Sequence, residues 1–185
     1  MRIINLKVQR VGRDRKEYAA IKDLISRAFP KNEQISMWLL RLLALRKNVQ
    51  FLAFYDNRAL CGISYTISSK TMVFVLYLAV NDTIRSKGYG SAIIRCLNEL
   101  YGNKPLSLNV ESLDPNADNA VQRVKRVEFY RKNGFEITDY LITDKSGEYL
   151  ILSTADNFSV SEYRCVIEKF ALGFYSPKIK RRDHK

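Results

Sequence analysis

Apolar side chains at Tyr18, Ile21, Ile25 and Ala28, with Leu24 and Phe29 beside them, recur at three- and four-residue spacing. Residues 14–29 are therefore predicted to form a helix that Pro30 ends. Ile35, Trp38, Leu39, Leu42, Leu43 and Leu45 repeat the pattern. Arg41, Arg46 and Lys47 fall on the outer side and at the C-terminal end, where cations suit the helix dipole. The period then changes. Residues 51–55 and 60–67 are short aromatic and β-branched runs around Asp56 and Asn57, a hairpin signature, and residues 68–70 turn the chain. Residues 72–80, MVFVLYLAV, are an almost unbroken apolar run, as expected of a central strand covered on both faces.

Past that strand a polar link, residues 81–87, leads to Gly88, Tyr89 and Gly90. Ile93, Ile94, Leu97 and Leu100 then restore helical spacing up to Gly102. Residues 106–110 are the next predicted strand and 121–131 the next helix, stopped by Asn133 and Gly134. Residues 135–143 and 148–154 form a second hairpin around Lys145, Ser146 and Gly147, and residues 160–172 a closing helix. No internal repeat or low-complexity linker interrupts the series.

The length of 185 residues suits one domain, and 46% hydrophobic with 27% charged residues is enough to bury a core and to exclude wholesale disorder. The most apolar stretch, residues 37–45, is broken by Arg41 and falls short of the roughly 20 residues a membrane span needs, so no membrane partner is expected. The opening MRIINLKVQR has no apolar signal region, which makes the cytoplasm the expected compartment. Cys61, Cys96 and Cys165 lie in apolar stretches without CxxC spacing and read as reduced core thiols. The single histidine, His184, stands in a charged tail, which removes Ser/His/Asp triads and His-ligated metal sites.

Thirty-one Lys and Arg against 19 Asp and Glu give a net charge of +12, and residues 178–185, with five cations and one Asp, supply a third of it. Such a balance favours polyanionic partners. The tail itself reads either as a solvated, partly disordered end or as a nucleic-acid or membrane contact, the second being the less expected.

A glycine turn between a buried strand and a helix offers free backbone N–H groups at the positive helix end, which suits a phosphate or pyrophosphate. Here it is Arg85-Ser86-Lys87-Gly88-Tyr89-Gly90, with two cations beside the amides. It lacks the third glycine of a dinucleotide fingerprint and the Gly-Lys-Ser/Thr of a P-loop. Taken alone, the turn is equally consistent with a tight connection that merely uses glycine.

The turn, the preceding Leu78-Ala79-Val80, and the run Phe129-Tyr130-Arg131-Lys132-Asn133-Gly134-Phe135 about forty residues later together resemble the GNAT superfamily of N-acetyltransferases. Arg85 to Gly90 satisfies the family's Gln/Arg-x-x-Gly-x-Gly/Ala pattern, and Phe129, Tyr130, Gly134 and Phe135 its aromatic-Tyr and Gly-Phe pairs. The order of elements agrees, over roughly residues 1–155.

The resemblance implies an α/β (α+β) fold: a mixed, mainly antiparallel twisted sheet flanked by helices and splayed between its two central strands. It implies a catalytic domain over residues 1–155, a C-terminal helix over 156–177 packed on the same domain, and a basic tail over 178–185. It implies acetyl-CoA as co-substrate, its pyrophosphate on the amides of Arg85, Ser86, Lys87, Gly88, Tyr89, Gly90 and Ser91. The pantetheine arm would pair with the main chain of Leu78, Ala79 and Val80, where an amide would also polarise the thioester carbonyl. Tyr130 matches the acid that protonates the departing thiolate. No metal and no cysteine nucleophile are required; the amine attacks directly.

The long strand carries no carboxylate to act as base. Glu111 at the end of the next strand is the first candidate, with a solvated carboxylate or a water relay as alternatives, and Glu33 the second. The family's Asn-x-x-Ala before the acid tyrosine is replaced by Arg123 and Arg126. Asn119, four residues earlier, is the candidate substitute for the pantetheine contact. The partners implied are acetyl-CoA and an amine acceptor, which an amino acid, an amino sugar, an antibiotic or a protein would each satisfy. A homodimer is open. Two rival readings are a basic nucleic-acid-binding protein and a GNAT-fold acyl-CoA sensor without turnover.

Overall fold

The computed structural model describes residues 4–12, 14–84, 87–144 and 147–182. Two compact units emerge: Met1–Ile67 with Leu76–Asn103, and Ser68–Val75 with Lys104–Lys185.

The first unit opens with strand β1 (Lys7–Arg10) and helix α1 (Arg15–Ala28). The Asp14 carboxylate caps α1 by accepting the amides of Lys16 at 2.7 Å and Glu17 at 3.0 Å, bonds that also lower its pKa. Ile21, Leu24 and Ile25 bury the face that the spacing predicted. After a 3-10 turn at Lys31–Glu33 comes α2 (Met37–Leu43). Strands β2 (Val49–Asp56) and β3 (Ala59–Ser68) form an antiparallel hairpin on β1, with Asn57 in the left-handed conformation at its tip. Strand β4 (Val73–Val80) enters this unit from Leu76 onward, and helix α3 (Tyr89–Leu100) follows it.

In the second unit, Val73 to Val75 of β4 run parallel to Leu106 to Leu108 of β5 (Leu106–Glu111). Helix α4 (Ala120–Lys132) leads to β6 (Glu136–Asp144) and β7 (Gly147–Ser153), antiparallel to each other, with β7 antiparallel to β5. Helix α5 (Val160–Phe170) buries Tyr163, Val166, Ile167 and Phe170, and the Tyr163 hydroxyl donates to Asn109 Oδ1 at 2.5 Å. Strand β8 (Lys178–Arg181) closes the series on β6. Read through β4, the strand order is β1-β2-β3-β4-β5-β7-β6-β8, the mixed and mainly antiparallel arrangement expected. No helix among the described residues is long and apolar enough to cross a membrane.

Three features depart from the sequence reading. Strands β1 and β8 were not anticipated, because KVQR and KIKR are too short and too charged to show a period of two. Residues 178–181 are therefore not a solvated tail but a strand paired with Tyr140 to Thr143. Its charges suit an outermost strand, where apolar side chains would invite further pairing. Helix α2 is only two turns long and buries Met37 and Leu40, whereas Trp38, Leu42 and Leu45, assigned to the inner face, are exposed. The turn after Leu43, needed to start β2 at Val49, cuts off the longer helix that would have used those positions. The turn residues Lys145 and Ser146 and the lone His184 lie outside the described residues.

Candidate active site

In the first unit the end of β4 exposes alternate positions: Leu78 and Val80 are half-buried, Ala79 buried. The hydrophobic stripe Ala92, Ile93, Ile94 and Leu97 fixes α3 in the core, so the helix start is held in place. Gly88 stands at its N-cap with φ 79° and ψ 9°, a conformation that costs an L side chain about 1–2 kcal/mol, and no side chain among the described residues caps the helix. The first intrahelical bond runs from Ala92 N–H to Gly88 C=O at 3.1 Å. The amides of Tyr89, Gly90 and Ser91 precede it and have no helical acceptor. Gly90 is buried, Ser91 exposed, and the exposed Lys87 adds a cation. Free amides, a helix dipole and an ammonium group together bind anions. Arg85 and Ser86 lie outside the described residues.

Two hydroxyls of this unit escaped sequence reasoning. Tyr89 donates to Asp56 Oδ2 at 2.8 Å, tying the first residue of α3 to the β2–β3 turn. Tyr77 accepts the Ile35 amide at 2.9 Å and donates to the Glu33 carbonyl at 2.5 Å, and its burial raises its pKa. The segment carrying the second base candidate, Glu33, is thereby fastened to β4. Neither pairing has a linear signature, since partners are 33 to 44 residues apart.

The second unit holds Tyr130, Glu111 and Asn119. Tyr130 is 8% exposed in the last turn of α4. Gly134 (φ 85°) reverses the chain there, so that the Phe135 amide bonds the Tyr130 carbonyl at 3.1 Å and the Phe135 ring packs 5.4 Å from the Tyr130 ring. Phe129 lies 5.1 Å away on another side. The aromatic-Tyr and Gly-Phe pairs are thus one packed corner. The Tyr130 phenol makes no hydrogen bond among the described residues. Burial pushes its pKa up to about 12, against a pull from the Arg126 charge.

Glu111 is not a free carboxylate. Its Oε1 accepts from Asn119 Nδ2 at 3.0 Å and faces Arg123 Nη2 at 3.7 Å, and its Oε2 pairs with Arg126. Arg123 also donates to Asn119 Oδ1 at 2.7 Å and to the Ser112 carbonyl at 2.8 Å. Both polar ends of the Asn119 side chain are therefore engaged within the cluster. The two arginines that stand where the family pattern has Asn and Ala are the groups that hold Glu111.

Residues 47–137 match the family model described as an acetyltransferase (GNAT) domain. Among solved structures, a Bacteroides thetaiotaomicron protein assigned to the GNAT acetyltransferase family superposes with TM-score 0.73 at 20% identity, over 91% of this chain and 99% of that one. An aminoglycoside 6'-N-acetyltransferase complexed with coenzyme A does so with TM-score 0.62 at 16% identity, over 83% and 99%. A GNAT family acetyltransferase from Elizabethkingia anophelis with acetyl-CoA bound gives 0.56 at 15%, over 80% and 97%. The fold is the one these proteins share. No curated protein matches the sequence.

Proposed function

From a chain whose residues 47–137 match the model of an acetyltransferase (GNAT) domain, we propose an enzyme that moves the acetyl group of acetyl-CoA directly to a primary amine of a small molecule or a protein. The observation that carries this reading is the start of α3. It combines a left-handed Gly88 without a side chain, no capping side chain among the described residues, and three amides lacking helical acceptors, in the connection that follows a buried strand. That donor set fits a pyrophosphate. Lys87 to Ser91, with Arg85 and Ser86, hold the phosphates, and the main chain of Leu78 to Val80 holds the pantetheine arm.

In the transfer the amine nitrogen bonds to the thioester carbon, the C–S bond breaks, and the thiolate takes up a proton while the amine loses one. Tyr130 donates. With a pKa near 12 the phenol is in its acid form at every working pH. Full transfer to a thiolate of pKa about 8.5 runs uphill, so the phenol acts first as a hydrogen-bond donor to the developing sulfur charge. The Arg126 charge favours the phenolate that follows donation. Glu111 is better suited to holding Arg123, Arg126 and Asn119 than to taking the amine's proton. A proton placed on it would remove the negative charge that faces two guanidinium groups. The amine's proton leaves by water. Of the three cysteines read as core thiols only Cys61 is buried, Cys96 being half-buried and Cys165 exposed; free thiols at these positions suit the cytoplasm as the setting.

Calorimetric titration with acetyl-CoA, followed by release of free CoA thiol over a panel of amines, tests the reading. One-to-one micromolar binding with amine-dependent thiol release is expected. Absence of binding at millimolar acetyl-CoA overturns it, and binding without thiol release for any amine leaves a sensor in its place.

A further inference from the structure

The residue between the two loop glycines is a tyrosine, whose side chain is not needed where the backbone alone would serve an anion. Tyr89 is only 9% exposed, and its hydroxyl reaches out of the helix start to Asp56 Oδ2 at 2.8 Å. Asp56 is the last residue of β2. Its other oxygen accepts Asn57 Nδ2 at 3.2 Å within the tight turn where Asn57 has φ 55°. The acceptor is therefore itself fixed. Asp56 pairs with Ala59 across that turn, so the hairpin cannot shift without breaking its ladder.

On the same hairpin the register slips between Phe54 and Tyr55, which face Gly62 and Leu60, leaving Cys61 as the extra residue. The Cys61 carbonyl accepts the Asn81 amide at 2.8 Å and the Leu60 carbonyl accepts Asn81 Nδ2 at 2.9 Å. One short stretch of hairpin thus grips the chain where it leaves β4, through Asn81, and again where α3 begins, through Tyr89. The amides of Tyr89, Gly90 and Ser91 begin at the second of those grips.

We propose that Asp56 and Tyr89 are a positioning pair that sets the anion-binding turn for the pyrophosphate; this rests on the acetyl-CoA reading above. The mechanism is preorganisation. The amides of Tyr89, Gly90 and Ser91 must converge on one anion, and a mobile first turn would have to be ordered at the moment of binding. A carboxylate as acceptor makes the tie charge-assisted and stronger than a bond between neutral groups. It also keeps the Tyr89 proton in place, since the Asp56 bond is the chief cause of a Tyr89 pKa pushed up to about 12.

The test compares wild type with Tyr89→Phe, Asp56→Ala and Asp56→Asn, using acetyl-CoA, ADP and acetyl-pantetheine as separate probes. Loss of a charge-assisted hydrogen bond predicts acetyl-CoA and ADP binding weaker by about five- to tenfold in Tyr89→Phe and Asp56→Ala, with no further loss when the two are combined. Acetyl-pantetheine, which has no pyrophosphate, should bind all forms alike, and Asp56→Asn, which keeps an acceptor oxygen, should recover most of the affinity. A merely structural role would weaken acetyl-pantetheine equally, and that result overturns the proposal, as does a Tyr89→Phe protein with wild-type ADP affinity. If wild type binds neither acetyl-CoA nor ADP, the parent reading fails and takes this one with it.

Discussion

A side chain at Gly62 would begin against the carbonyl oxygen of Ala79, with Ile93 Cδ1 of α3 only 2.6 Å away and Val80 Cα at 3.3 Å. The constraint is one of space. The missing Cβ is what lets β3 approach the end of β4 beside Ile93 of α3. Gly62→Ala should therefore lower stability by about 1–3 kcal/mol, the usual range for overpacking a core. Urea unfolding followed by circular dichroism would measure it. A shift of less than about 0.5 kcal/mol would mean the backbones are free to separate.

Gly88 presents the opposite case, open space but a demanding backbone. Among the described residues only Ile4 Cδ1, at 3.5 Å, borders the place of a Cβ, yet φ is 79°. Gly88→Val should cost stability through conformation and re-aim the first amides of α3, weakening acetyl-CoA at least tenfold in calorimetry. The β-branched side chain is the most averse to this region. Unchanged affinity would remove the turn from the binding machinery.

How legible this was depends on whether the signal is local. The Gly88 turn and the Tyr130–Phe135 corner could be read in the sequence because each is a short chain reversal that demands glycine at one position. Gly134 at φ 85° lets Phe135 fold onto Tyr130. The commitments of Glu111 and Asn119 could not be read, because they depend on α4 returning Arg123 and Arg126 to the end of β5, an arrangement made by folding. Trp38, Leu42 and Leu45 misled for a related reason. Apolar spacing says that a face exists, and the length of the helix decides whether it is covered.

Tyr130→Phe removes a hydroxyl that bonds nothing among the described residues, so unfolding free energy should change by less than about 1 kcal/mol. As the proton donor its loss should lower kcat by about a hundredfold and leave acetyl-CoA affinity alone. Because burial holds the phenol near 12, its own contribution to the rate should be flat with pH and decline only as pH rises through that value. A basic limb below pH 10 that vanishes in Tyr130→Phe would contradict this assignment.

Burial raises several tyrosines together: Tyr55 and Tyr130 to about 12, and Tyr65, Tyr77, Tyr101, Tyr163 and Tyr175 in the same direction. A folded-state pKa above the unfolded value of about 10 means that the folded protein holds the proton more tightly. The associated stability is complete below pH 10 and falls as pH rises from there. Denaturant midpoints should be level between pH 8 and 9.5 with respect to these groups and drop steeply by pH 11.5. A midpoint that held steady to pH 11.5 would show that the phenols ionise without opening the core.

Glu111→Gln separates two roles that the sequence alone could not. An anchor for Arg123 and Arg126 loses its charge in this variant while keeping its shape, leaving two guanidinium groups, one of them 20% exposed, without a counter-ion. Destabilisation of about 1–3 kcal/mol is expected, since a hydrogen-bonded ion pair that loses one charge leaves its partner poorly satisfied. If water and not Glu111 carries the amine's proton, as proposed, the pH dependence of kcat should keep its shape. Arg126→Met should then cost less in the Glu111→Gln background than in wild type, the two residues being one interaction. Should Glu111→Gln instead preserve stability and abolish the acidic limb of the kcat profile, the carboxylate is the base and the arginines are its electrostatic setting.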